Sequence, residues 1–133
     1  MSKEKQEFVV VIPVEPVAKA RPRAGKSGFY TPTKTANFER VAKSYMFKQH
    51  LDKPLSGAIG VHINFILPKP KRPKDTHPIA RPDLDNYMKA IFDAGNGVLW
   101  ADDAQIVICS AAKMYESDTL KVGVTVGAWR VGQ

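Results

Sequence analysis

The chain has 133 residues, 44% hydrophobic and 25% charged, which is the composition of a soluble globular domain with one core. No apolar run reaches the ~20 residues needed to cross a bilayer, the N-terminus lacks the apolar stretch of a secretory signal, and Cys109 has no cysteine to pair with. Membrane and disulfide-stapled classes are thereby set aside, and the expectation is a single domain over 1–133, with 1–6 a flexible tail, in a reducing cytoplasm.

Phe8 to Ile12 is an apolar, β-branched run closed by Pro13 and Pro16, the pattern of a first strand. Residues 17–32 are irregular and rich in Arg, Lys, Gly and Pro, which predicts a long loop. Over 33–51, Phe38, Val41, Ala42, Tyr45 and Met46 recur at helical spacing, with Thr33 or Thr35 as a cap and Asp52, Pro54 and Gly57 as stop signals. Ile59, Val61, Ile63, Phe65 and Leu67 alternate with smaller or more polar residues, the period of a strand.

A proline-rich loop over 68–82 follows. Leu84, Tyr87, Met88, Ile91, Phe92 and Gly95 then fall on one face of a second helix, stopped by Gly95-Asn96-Gly97. Two last strands are predicted at 106–112 and 120–126. The order strand, helix, strand, helix, strand, strand predicts an α+β fold: a single mixed sheet of about four strands with two helices packed on it.

Charge gives the first functional signal. Twenty Lys and Arg against thirteen Asp and Glu leave a net charge of +7, which favours polyanions through counterion release, although a basic surface can also serve solubility alone. Distribution decides between them. Lys19, Arg21, Arg23, Lys26 and Lys34 fall in or beside the first loop, and Lys69, Lys71, Arg72, Lys74 and Arg81 in the second, ten of the twenty basic residues. Loops of this content read as phosphate contacts. Tyr30 and Phe29 interleave with the first group, either stacking on an exposed base or anchoring the loop.

Acidic residues stand beside these loops. They are Asp83 and Asp85, and the pair Asp102 and Asp103. Carboxylates repel phosphate unless a cation intervenes, and a divalent ion reverses the local sign. Asp83 and Asp85 converge if the backbone there is extended and diverge if Asp85 is already helical. At most one of Asp102 and Asp103 can face the same site. Lys89 lies one turn beyond Asp85. Each of these residues also has a plain structural reading, as helix cap, surface ion pair or solvated turn. Their combination on a basic chain favours a site for Mg²⁺, a hard ion content with two or three carboxylates and water, with Mn²⁺ able to substitute.

The stretch from Arg81 to Ala94, RPDLDNYMKAIFDA, followed by GVLWADDAQIV from Gly97 to Val107, resembles the signature of the RusA-type Holliday junction resolvases: Asp-x-Asp-Asn, a Lys six residues after the first Asp, then Trp-x-Asp-Asp-x-Gln. The resemblance implies a RusA-like domain in bacteria, often in prophages, acting in DNA recombination and repair. It implies that Asp83, Asp85 and Asp103 bind the metal and act in catalysis, with Asp102 in reserve, and that Lys89 is the essential basic residue. It also implies a homodimer that resolves four-way junctions by paired symmetric nicks. Two competing readings remain: a less selective branched-DNA nuclease of prophage replication or packaging, and a non-catalytic DNA-binding protein whose aspartates are caps.

Overall fold

The computed structural model describes residues 7–19, 23–25, 28–30 and 33–132, with the backbone alone described for 23–25 and 28–30. The expected tail at 1–6, Arg21 and Lys26 lie outside the described residues, as do the side chains of Arg23, Phe29 and Tyr30.

Strand β1 (Phe8–Ile12) is followed by a hairpin of β2 (Arg23–Gly25) and β3 (Gly28–Tyr30), helix α1 (Thr33–Gln49), β4 (Ile59–Leu67), helix α2 (Leu84–Gly95), β5 (Ile106–Tyr115) and β6 (Gly123–Arg130). Four strands form one sheet in the order β1-β6-β4-β5. β4 runs parallel to β5 and antiparallel to β6, and β6 is antiparallel to β1, so the sheet is mixed and the fold is α+β as expected.

Alternation sorts the strands. Val10 and Ile12, Ile59, Val61, Ile63 and Phe65, and Val124, Val126 and Ala128 are all buried on the face that receives the helices. α1 meets that face with Phe38, Ala42 and Met46, each four residues after the last, and α2 with Tyr87, Ala90, Ile91 and Ala94. Truncating one of these large side chains to Ala costs about 2–5 kcal/mol. On the opposite face Val9, Val11 and Ile108 stay exposed. The free edge of β1 is closed by Gln49 of α1: the Val11 N–H donates to its Oε1 (2.8 Å) and its Nε2 donates to the Val11 carbonyl (2.7 Å).

Four boundaries differ from expectation. The first basic loop contains the β2–β3 hairpin. α1 stops at Gln49, and Thr35 lies inside it, buried, its hydroxyl donating to the Ala18 carbonyl (3.4 Å) instead of capping. β5 continues to Tyr115 because β4 offers it a partner as far as Leu67. β6 begins at Gly123 instead of residue 120 and runs on to Arg130; a side chain at position 123 would meet the Ile12 carbonyl at 2.6 Å.

Candidate metal-dependent nuclease site

The acidic motif straddles the start of α2. Asp83 occupies the cap position in an extended conformation (φ −71°, ψ 151°), yet its side chain makes no cap hydrogen bond. It pairs loosely with the exposed Arg81, at 3.8 Å. Asp85 lies in the first turn of the helix, so the extended alternation that would point both carboxylates the same way ends at Leu84. Asp85 is exposed and has no ion-pair or hydrogen-bond partner among the described residues.

The loop after α2 delivers the third carboxylate. Trp100 is fully buried, its indole N–H donating to Asn96 Oδ1 (3.0 Å) and the Phe92 carbonyl (3.3 Å). Its ring lies over Gly95, where a β-carbon would fall 2.4 Å from it, so glycine is required there by close approach. Beyond it, Asp102 caps a 3₁₀ turn (Asp103–Gln105), accepting from the Ala104 N–H, while Gln105 Oε1 accepts from the Asp102 N–H. Gln105 Nε2 donates to the carbonyls of Leu55 and Gly57, tying the turn to the β4 entry. Asp102 is therefore committed to local structure, and Asp103 is the member of the pair that faces α2.

Lys89 meets Asp103 at 3.4 Å and Asp93, one turn along its own helix, at 3.2 Å; it forms no ion pair with Asp85. The hydrogen bond to Asp93, helped by the charges of Asp93 and Asp103 and opposed by burial, holds its pKa above the ordinary lysine value. It is an ammonium at neutral pH. Asp93 also meets Lys19 at 3.2 Å, and Lys19 meets Glu39 of α1 at 2.7 Å. Burial pulls the Lys19 pKa down, but hydrogen bonds and charge from Glu39 and Asp93 outweigh it and the net shift is upward. Lys19, expected at phosphate, is thus turned inward.

The other described basic residues of the two loops are exposed: Lys34 in the first turn of α1, and Lys69, Lys71, Arg72, Lys74 and Arg81 in the second loop. Between the two loops lies a cleft of about 590 Å³, lined among others by Glu15, Lys34, Arg81, Tyr87 and Tyr115. Lys113 of β5 fixes the segment entering α2 by donating to the carbonyls of Ala80 and Pro82, both at 2.9 Å. Sequence reasoning does not reach Glu39, Asp93 or Lys113. Asp93 carried a readable signal, four residues past Lys89 on one helix face. Glu39 and Lys113 come from elements that only the fold brings near.

The donors suit a hard divalent cation in kind, since Asp83 and Asp85 are carboxylates with little or no structural engagement and Asp103 has only Lys89. Among the described residues no three His, Cys, Asp or Glu side chains already form one ion-holding cluster. Among the described residues, too, no helix is long and apolar enough to cross a membrane.

Comparison with known proteins adds an independent finding. The family described as endodeoxyribonuclease RusA matches residues 13–127. A relative in Bacillus subtilis (strain 168), the uncharacterized protein YqaN, is 27% identical over 120 residues, covering 78% of this chain and 84% of the relative.

Proposed function

The chain belongs to the RusA endodeoxyribonuclease family, whose members act on branched DNA, and from that premise we propose that it is a Mg²⁺-dependent resolvase of four-way junctions. The observation that carries the reading is the placement of Lys89, its head half exposed and bonded to Asp103, on the helix whose N-terminus holds Asp83 and Asp85. A solvated pair of caps would not explain why Asp83 leaves its cap bond unmade.

In this reading the exposed lysines and arginines of the two loops bind the backbones of the junction arms. Asp83, Asp85 and Asp103 would be the carboxylates to hold the ion, with Asp102 committed to its turn. When bound, the ion supplies charge neutralisation at the scissile phosphate and a water of lowered pKa. Lys89, kept protonated by its neighbours, stabilises negative charge developing on the phosphate and is unsuited to act as a base. The capping box and Gln105 hold Asp103 in place, and Lys113 holds the entry to Asp83.

Two opposed strands must be cut, so the working unit is a homodimer with related sites, and the exposed apolar side chains Val9, Val11 and Ile108 offer surface for pairing. Its setting is a bacterial cytoplasm, in recombination or repair of host or prophage DNA. The deciding experiment is cleavage of a synthetic four-way junction with and without Mg²⁺, wild type beside Asp85→Asn. Paired nicks that need both the ion and Asp85 support the reading. Equal cutting of three-way, flap and linear substrates would favour the less selective nuclease, and binding indifferent to the ion and the aspartates, with no cutting, a DNA-binding protein alone.

A further inference from the structure

Behind the acidic motif lies a charged network that the motif does not include: Lys19 and Glu39 on one side, Asp93 in the middle, Lys89 and Asp103 on the other. We propose that Asp93 is a positioning residue for the cleavage reaction, holding the Lys89 ammonium at the edge of the site while Lys19 and Glu39 keep the Asp93 carboxylate turned toward it. This rests on the reading of the chain as a branched-DNA nuclease.

The plainer alternative is a surface ion pair at helical spacing, weak and of no consequence to chemistry. Three features count against it. First, Asp93 is partly withdrawn from solvent: its side chain is 21% exposed against 54% for Lys89. Second, its two oxygens are divided, Oδ1 to Lys89 and Oδ2 to Lys19, so the carboxylate is fixed by ammonium groups from two different parts of the chain. Third, Lys19 is itself held, by Glu39 at 2.7 Å and by a hydrogen bond from its backbone N–H to the Asn86 carbonyl at 2.8 Å. A simple exposed pair does not recruit such a scaffold.

The division of labour between the two acceptors of Lys89 then follows. A lysine side chain has many rotamers open to it, so an ammonium needed at one place must be tethered. Asp103 cannot be that tether throughout the reaction, because in the proposed mechanism its oxygens go to the cation. Asp93 stands one helical turn behind Lys89 and outside the cation-holding set, and it is the acceptor that remains. Glu39 matters because Lys19, deprived of it, would place its whole charge on Asp93 and compete with Lys89 for that carboxylate.

The full-length chain allows a direct test with two readouts. In the metal-free protein, the side-chain ammonium resonance of Lys89 is followed by ¹H–¹⁵N spectroscopy, assigned by its loss in Lys89→Arg. In parallel, kcat for a four-way junction is measured in Mg²⁺, and junction affinity without the ion. Asp93→Asn is expected to shift or broaden the Lys89 signal and to lower kcat about tenfold, with affinity within about twofold. Glu39→Gln is expected to move both readouts in the same direction, about threefold in kcat, and to add nothing on top of Asp93→Asn. Asp93→Glu, restoring a carboxylate, is expected to recover part of the loss. An unmoved Lys89 signal with wild-type kcat in Asp93→Asn overturns the proposal. Should that variant not fold, an unmoved signal and kcat in Glu39→Gln overturn it instead. If the wild type cuts no branched DNA, the nuclease reading falls, and the lysine spectrum still decides whether Asp93 holds Lys89.

Discussion

The start of α2 and the turns that follow it treat their charged side chains in opposite ways. At the N-terminal end, Asp83 forgoes its cap bond and Asp85 stands in solvent without a described partner. Further along, Lys89 and Asp93 are woven into contacts with Lys19 and Asp103, and Gly95 is pressed beneath Trp100. An aspartate that caps a helix contributes about 0.5–2 kcal/mol. One that sits at the cap position and leaves this unmade is free to bind something else. The lesson is that within one helix, idle charges mark where a ligand is received and engaged charges mark how the receiving groups are held.

The sharpest way to break this contrast is to neutralise the idle end. Asp85→Asn is expected to lower junction cleavage by a factor on the order of a hundred or more, with melting temperature unchanged and junction binding equal or tighter because a repelling charge is gone. Normal cleavage by this variant, measured beside wild type, would remove Asp85 from the site. Packing at the engaged end, unlike its charges, should respond in stability instead. Gly95→Ala drives a methyl group into the Trp100 ring and is expected to destabilise the fold by about 1–3 kcal/mol in denaturant titration, with cleavage falling only as the folded fraction falls.

The neighbours Asp102 and Asp103 set the same contrast within two residues. Asp102→Ala removes a capping-box acceptor and is expected to lower stability by about 1 kcal/mol while cleavage continues. Asp103→Asn is expected to do the reverse, keeping the melting temperature and losing cleavage. If the two variants trade places, the third metal ligand is Asp102.

Much of this was legible in the sequence, for physical reasons that can be named. The sheet and helices announce themselves because Ile59 to Phe65 alternates and Tyr87 to Ala94 repeats at helical spacing, each with one face to bury. The acidic site was legible as a motif, since its residues lie in two short segments. Geometry was less so: whether Asp83 and Asp85 converge depended on one residue, Leu84, being helical. The hairpin at Arg23–Tyr30 was hidden because strands of three residues leave almost no periodicity. Glu39 was hidden because its partner is twenty residues away and the pairing exists only once α1 lies beside α2.

The smallest expected effect separates the two basic loops, which the sequence treats as equivalent. Lys71 and Lys74 are exposed, so each, if it neutralises one phosphate, contributes about 0.9 to the slope of log affinity against log salt. Single Ala variants should lower the slope by that amount and weaken binding alike on every junction sequence. Lys19 is different, because its charge is already met by Glu39 and Asp93. Lys19→Ala should leave the slope nearly unchanged, since no counterion release is lost. It should still weaken binding, because two carboxylates are left uncompensated beside the first loop. Equal slope changes for Lys19 and Lys71, read from filter binding across a salt series, would mean that Lys19 leaves its acidic partners for phosphate when DNA arrives.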